Sequence, residues 1–269
     1  MRVNIISDME GVSGIATVHQ TNATEGLYQE GRKLYTEDIN AAIRGAKAAG
    51  ATEIVVMDHH GAGKGYNFNS LIPEDLDPDC EFVVQEEWTE YTGFLEEGVD
   101  AVLLVGMHAM AGTPDGVMNH TVSGVDWQNL WFNGTQVGET GINAAFCGTF
   151  GCPVALVTGD GAACREAVEL LGAELTTVSV KEGLGLMSAR MLAPERAREL
   201  IEAGARESLE NLGAVKPYDP GKPCEIKVEY KSTGPPARLR NRAGVEILEP
   251  RVLVSRADDW WTAWKQFFF

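Results

Sequence analysis

The chain is poor in basic residues, in paired cysteines and in long apolar runs, and each shortage excludes a class of protein. It has 22 lysines and arginines against 39 aspartates and glutamates, a formal net charge of -17. A surface this acidic repels phosphate backbones and anionic lipid headgroups, so we expect no nucleic acid partner and no membrane partner. The five cysteines form no C-x-x-C motif, so neither a disulfide framework nor a thiolate metal site is indicated.

No apolar run approaches the roughly 20 residues needed to span a bilayer. The apolar stretch at the N-terminus is interrupted by Asp8 and Glu10, which makes it too short for the core of a signal peptide. We therefore expect a soluble, cytoplasmic protein. With 269 residues, of which 44% are hydrophobic, the chain can bury a large core in one large domain or two modest ones.

Short apolar runs rich in β-branched residues alternate with helical patterns over the first part of the chain. Four of these runs, at 3–7, 53–58, 101–107 and 153–160, show no polar alternation. The spacing of apolar residues predicts a helix over about 36–49. Unalternating strands separated by helices are typical of an α/β fold, in which helices cover both faces of a mainly parallel sheet.

Two further segments, 125–132 and 135–138, flank the dipeptide Asn133-Gly134. This dipeptide tolerates the positive φ angles of a two-residue hairpin turn. We predict a β-hairpin that extends the sheet at one edge, with Glu139 just after it at the start of a helix.

The pattern changes after about residue 175. A long helix is predicted from Pro194, followed by strands at 224–230 and 251–257. We predict a catalytic α/β domain over 1–175 and a smaller α+β domain over 176–269 that contributes to oligomer contacts. The closing segment carries aromatic residues at helical spacing: Trp260, Trp261, Trp264, Phe267 and Phe268. Two alternatives explain this stripe: the helix packs on the protein's own core, or it contacts another subunit.

Residues able to bind metal cluster in the first half of the chain. They are Asp8, Glu10, His59, His60, His108, His120 and Glu139. Five of them follow predicted strand ends by one to three residues, and His120 and Glu139 come from the loop and hairpin between strands. Functional groups gather beyond the carboxyl ends of such strands, where imidazoles and carboxylates are the donors that a zinc pair needs.

Each of these residues alone has an ordinary structural explanation. Asp8 could cap a turn, His60 could be a solvated loop histidine, and His108 could be a satisfied buried histidine. Glu139 could be a first-turn acid favoured by the helix dipole. Four of the five histidines, however, fall in two short windows, and together they favour a metal site.

Five runs carry a resemblance to a known family over nearly the whole chain. They are SDMEGVSGI (7–15), MDHHG (57–61), GMHAMAGTPDGVMNHT (106–121), NGTQVGETGINA (133–144) and VTGDGAACREA (157–167). Their combination resembles the D-aminopeptidase (DppA-like) family of di-zinc metallopeptidases. That resemblance implies two Zn²⁺ ions per chain on five ligands: Asp8, Glu10, His60, His108 and Glu139. Asp8 would bridge the ions, with Glu10 and His60 on the first ion and His108 and Glu139 on the second.

The resemblance also implies an activity, namely removal of N-terminal, typically D-configured, amino acids from short peptides. A metal pair lowers the pKa of a bound water from about 15.7 toward 7. His120 matches the family's active-site histidine and would donate a hydrogen bond to the oxyanion or a proton to the leaving amine. Compared with the family's pattern, Asp115 looks like an additional residue in the loop between His108 and His120. His59 occupies a position where the family's pattern leads us to expect a small residue.

The family further implies a ring-like homo-oligomer, for which a decamer is one expected form. Two alternatives remain at this point. One is a di-zinc hydrolase of a different small amide or ester, and the other is a non-catalytic peptide-binding scaffold.

Overall fold

The computed structural model describes residues 1–86, 92 and 94–268. The strands among these residues are β1 (Arg2–Ser7), β2 (Glu53–Asp58), β3 (Glu81–Val83), β4 (Ala101–Met107), β5 (Trp127–Phe132), β6 (Thr135–Val137), β7 (Val154–Asp160), β8 (Thr176–Gly185), β9 (Ser188–Met191), β10 (Cys224–Tyr230), β11 (Val245–Glu249) and β12 (Val252–Ala257). The α-helices are α1 (Val18–Thr21), α2 (Tyr28–Ala48), α3 (Glu139–Thr149), α4 (Gly161–Leu171), α5 (Pro194–Glu210), α6 (Gly234–Arg238) and α7 (Trp260–Phe268).

The larger sheet has the strand order β3-β2-β1-β4-β7-β8-β9. Its strands are parallel except for β9, which pairs antiparallel with β8. Ser7 at the end of β1 lies opposite Asp58 at the end of β2 and Val105 on β4, so β1 and β2 end level and β4 extends two residues further. Strands β4 and β7 are buried along their whole length, as their unalternating apolar sequences predict.

Helices cover both faces of this sheet. On one face α2 packs against α5, and Ile39, Ile43 and Ile201 are fully buried there. Each such side chain contributes about 1.5 to 3 kcal/mol through burial. On the other face, a second core contains Phe146 of α3, the smaller sheet and Trp264 of α7. The predicted α/β fold class is confirmed by this architecture.

The smaller sheet is antiparallel and has the order β11-β12-β10-β5-β6. The predicted hairpin is present, with φ of 45° at Asn133 and 85° at Gly134. Its predicted position at an edge of the larger sheet is wrong, because β5 pairs with β10 and places Leu130 opposite Val228. Alternating strands such as β10 bury a single face, so they suit an antiparallel sheet.

Segments on both sides of residue 175 contribute to each sheet. Strands β8 and β9 belong to the larger sheet, whereas the earlier hairpin β5–β6 belongs to the smaller one. The division into domains over 1–175 and 176–269 stays a prediction. In the described part of the chain, no helix combines the length and the apolar character that a membrane crossing requires.

Candidate metal centre

The predicted metal-binding side chains come from loops that leave the carboxyl edge of the larger sheet. Asp8 and Glu10 follow β1, His60 follows β2, and His108 follows β4. Strand order reverses between β1 and β4, and such a switch point opens a crevice at the carboxyl edge. Glu139 is the first residue of α3, just after the hairpin.

A close backbone approach holds the loops after β1 and β4 together. Gly106 has φ of +78°, and a Cβ there would lie 2.1 Å from the carbonyl oxygen of Asp8. The amide of Gly11 donates to the carbonyl of Gly106 at 2.8 Å. Only glycine fits at position 106 without strain. Its lack of a side chain allows the two loops to approach closely, and this approach places Asp8 next to His108.

Asp8 lies at the centre of the cluster and contacts both histidines. Its Oδ1 is 3.1 Å from Nδ1 of His60, and its Oδ2 is 3.3 Å from Nε2 of His108. Glu10 Oε2 is 3.0 Å from the same His60 nitrogen, and Glu139 Oε1 is 3.3 Å from the same His108 nitrogen. The five residues therefore form two groups that share Asp8.

Backbone carbonyls fix the orientation of the two histidine rings. His60 Nε2 donates to the carbonyl of Thr21 at 2.8 Å, and His108 Nδ1 donates to the carbonyl of Ala109 at 2.9 Å. Since a carbonyl only accepts, the other nitrogen of each ring faces the carboxylates, and this nitrogen must lose its proton before the ring can bind a metal ion. Histidine ligands of metals are held in this way by a hydrogen bond from the opposite ring nitrogen.

The carboxylates of the cluster create a negative potential that favours the binding of positive charge. Burial opposes a charge on His60 and His108, yet nearby carboxylates raise the pKa of both rings well above the usual value. Burial also opposes ionisation of Asp8, but His108 and His60 hold the pKa of that carboxyl well below its usual range. Two buried carboxylates, Asp8 and Glu10, together with the half-buried carboxylate of Glu139, require cations as partners.

Two buried atoms of the cluster have no hydrogen bond among the described residues: Glu10 Oε2 and His108 Nε2. Each can offer a lone pair to a metal ion. The donor set contains only carboxylate oxygens and imidazole nitrogens, which suits zinc and other divalent ions. The residues present therefore fit a metal pair.

His120 lies beside this cluster and faces the cavity. Its ring stacks on that of His108 with a centroid distance of 4.1 Å and an interplanar angle of 14°. Nδ1 of His120 donates to the carbonyl of Met118 at 2.9 Å, and Nε2 lies 3.6 Å from Glu139 Oε1. Ligand atoms of His108, His120 and Glu139 fall within 4.8 Å of one another, so His120 can reach anything bound there.

The two departures from the family pattern have clear positions. His59 Nδ1 donates to Asn143 Oδ1 at 2.9 Å, so its ring is anchored to α3, and burial lowers its pKa. Asp115 forms an ion pair with Arg165 on α4. The Asp115 carbonyl also packs on β8, where a Cβ on Gly183 would lie 2.0 Å from it. The loop that contains Asp115 is thus fixed at both sides, and His120 Nε2 lies near Glu139.

Sequence reasoning missed Lys181, which supports the cluster from behind. Lys181 is 2% exposed, and its Nζ donates to three carbonyls, at 2.6 Å for Glu10, 2.9 Å for Val12 and 2.5 Å for Ile15. Burial lowers the pKa of Lys181 to about 8. A single lysine in an otherwise ordinary strand gives no sequence signal of this role.

Sequence reasoning named two aromatic residues of α7 but did not place them in the site. A cavity of about 190 Å³ opens beside the cluster, and Trp264 and Phe268 line its wall. The helical spacing of the aromatics predicted the stripe but not the surface that it covers.

Fold and site together define a class of protein. A parallel sheet whose switch point gathers carboxylates and imidazoles around one shared aspartate is typical of a metal-dependent hydrolase.

The comparisons with known proteins identify the family within that class. A family model described as D-aminopeptidase matches residues 1–269, and the chain belongs to this family. It is 31% identical over 250 residues to a D-aminopeptidase of Bacillus subtilis (strain 168), covering 92% of this chain and 88% of that protein. A solved structure of the Zn-dependent D-aminopeptidase DppA from Bacillus subtilis, described as a self-compartmentalizing protease, superposes with a TM-score of 0.89. That match has 30% identity and covers 99% of this chain and 95% of the other. The predicted family is confirmed.

Proposed function

We propose that this protein is a di-zinc aminopeptidase that removes N-terminal D-amino acids from short peptides. The observation that carries the proposal is the central position of Asp8, whose two carboxylate oxygens face His60 and His108 respectively. Membership of the D-aminopeptidase family supports the reaction, and the zinc dependence of the Bacillus subtilis relative supports the metal.

Two zinc ions would be held by the two groups of residues. Glu10 and His60 would serve one ion, His108 and Glu139 the other, and Asp8 would bridge them. When bound, such a pair supplies Lewis acidity, which polarises a carbonyl and lowers the pKa of water toward 7.

The chain's own residues orient the substrate and move the proton. The backbone amide of Val122 donates to Glu139 Oε1 at 2.8 Å and keeps this carboxylate facing the cavity. His120 is held through Nδ1, so Nε2 is the atom that can exchange a proton with the reacting peptide. A protonated Nε2 would stabilise the oxyanion by a hydrogen bond or protonate the leaving amine.

Assembly and location are further parts of the proposal. The DppA structure is described as self-compartmentalizing, which supports a homo-oligomer of this chain that encloses its active sites. A ring of ten subunits and a cytoplasmic location stay predictions. The alternatives of another amide or ester substrate, or of a scaffold without activity, are not favoured by the family to which the chain belongs.

The test is hydrolysis of D-Ala-D-Ala and of an L-leucyl peptide, each assayed with added zinc. We expect turnover of the D-peptide, and inertness toward both peptides would refute the proposal. His120→Ala should retain its zinc but lose turnover by a factor of about 10² to 10⁴, the usual contribution of a proton-transferring residue. An exposed variant such as Asp258→Ala should retain both zinc and turnover.

A further inference from the structure

The cavity beside the metal centre has a polar end and an apolar end. The polar end carries the cluster of donors together with His59 and Asn143. The apolar wall is formed by five side chains: Phe68, Val122, Ile142, Trp264 and Phe268. A peptide whose reacting bond lies at the donors must therefore place a neighbouring group against this wall.

Three of the wall residues belong to the segments that carry the donors. Val122 follows His120 by two residues and reaches Glu139 through its backbone amide. Ile142 lies three residues after Glu139 on α3, on the same side of the helix. The amide of Phe68 donates to the carbonyl of His60 at 2.8 Å. The apolar surface thus begins directly beside the reacting centre.

Helix α7 lines one side of this cavity. Trp264 is 3% exposed, and its ring centroid lies 5.0 Å from that of Phe268. Phe268 in turn stacks on Trp127 of the smaller sheet at 6.4 Å. The volume of about 190 Å³ is below the roughly 300 to 1,000 Å³ of sites that hold drug-sized ligands. It suits one amino-acid side chain.

A second, larger cleft of about 540 Å³ meets the cavity at the metal centre. The two share Glu10, His60, Gly61, His120 and Val122. The larger cleft also contains Lys231, whose charge complements the terminal carboxylate of a short peptide. The two cavities therefore divide a substrate into a part on each side of the reacting bond.

We propose that the small cavity binds the side chain of the substrate's N-terminal residue and selects apolar side chains such as those of leucine and phenylalanine. This inference rests on the proposed aminopeptidase function. The N-terminal residue has no chain beyond it, so it fits the smaller cavity, whereas the leaving peptide needs the larger cleft. Each methylene buried against the wall improves kcat/KM about fourfold, from the usual transfer free energy.

The test compares D-Leu-Gly-Gly, D-Ala-Gly-Gly and D-Glu-Gly-Gly with the zinc-loaded protein. We expect kcat/KM for the leucyl peptide to exceed that for the alanyl peptide at least tenfold, with the glutamyl peptide poorest. Phe268→Ala should reduce the leucyl to alanyl ratio severalfold. Trp261→Ala is the matched control, because this half-buried residue of the same helix packs on Phe146 and Phe150 outside the cavity wall.

A binding measurement separates failure of this inference from failure of the proposed function. Calorimetry with the zinc-loaded protein should show that D-leucinamide binds at least tenfold more tightly than D-alaninamide. Equal binding of the two amides, or a ratio that Trp261→Ala lowers as much as Phe268→Ala does, would overturn the subsite. Inertness toward all peptides with preserved selectivity for D-leucinamide would instead refute the peptidase reaction and support the subsite.

Discussion

Replacing Lys181 by methionine tests how much the buried ammonium stabilises the loop behind the metal centre. Its three hydrogen bonds to carbonyls come from a charged donor, and such bonds contribute about 1.5 to 3 kcal/mol each, or about 5 to 9 kcal/mol together. Burial of the charged ammonium opposes this stabilisation. The lowering of the Lys181 pKa from 10.5 to about 8 corresponds to a free-energy cost of roughly 3 kcal/mol for keeping the buried group charged. The stabilisation by the hydrogen bonds exceeds the cost of burying the charge, so Lys181→Met should lower the free energy of unfolding by about 2 to 6 kcal/mol.

The assay is urea unfolding at pH 7 and at one protein concentration, because self-association makes apparent stability depend on concentration. Lys216→Met is the control, since it removes the same charge from an exposed site and should stay within about 0.5 kcal/mol of the parent. Lys181 also fixes the carbonyl of Glu10, so its variant should bind zinc more weakly. A Lys181 variant as stable as the Lys216 variant would refute the reasoning.

The remaining predictions concern pH, backbone approach and metal removal. Burial raises the pKa of Asp38 to about 6, although hydrogen bonds from Ser13 to its carboxylate oppose this rise. The protonated carboxyl therefore stabilises the folded protein below pH 4, and this stabilisation is lost as the pH rises through 6. Asp38→Asn should remove about 3 kcal/mol of this pH dependence in urea unfolding, and an unchanged slope between pH 4 and 7 would contradict it. Gly106→Ala should displace Asp8 and lower zinc content measured by mass spectrometry, whereas full content would show that the loops tolerate the Cβ. Zinc at 100 times its Kd should stabilise the metal-free protein in thermal unfolding by about 2.7 kcal/mol for each site filled, and the absence of any shift would argue against a metal site.

The sequence predicted the central strands well because their signal is local. Strands β2 and β4 have the predicted bounds, since short continuous apolar runs that are rich in β-branched residues favour a buried strand next to helices. Helix α2 begins at Tyr28, eight residues before the predicted start, because its first two turns bury Tyr28, Gly31 and Tyr35 rather than aliphatic residues. The pairing of β5 with β10 depends on residues about 100 positions apart, which local patterns do not reveal.

The candidate metal-binding residues could be predicted to lie together because parallel strands end at one edge of the sheet. A residue's position after β1, β2 or β4 places it at that edge whatever the details of packing. The residues that contact these side chains from elsewhere in the fold were not predictable in the same way. Lys181 and Phe268 reach the site from distant parts of the chain, and the ring of His59 is directed by its bond to Asn143.

The measurement closest to the central claim is the number of zinc ions per chain, determined by mass spectrometry after saturation with zinc and removal of the excess. The account predicts two ions for the unchanged protein. In Asp8→Ala it predicts fewer than one, because this carboxylate contacts both groups of ligands. Two ions retained by Asp8→Ala, or no zinc bound by the unchanged protein, would contradict the account.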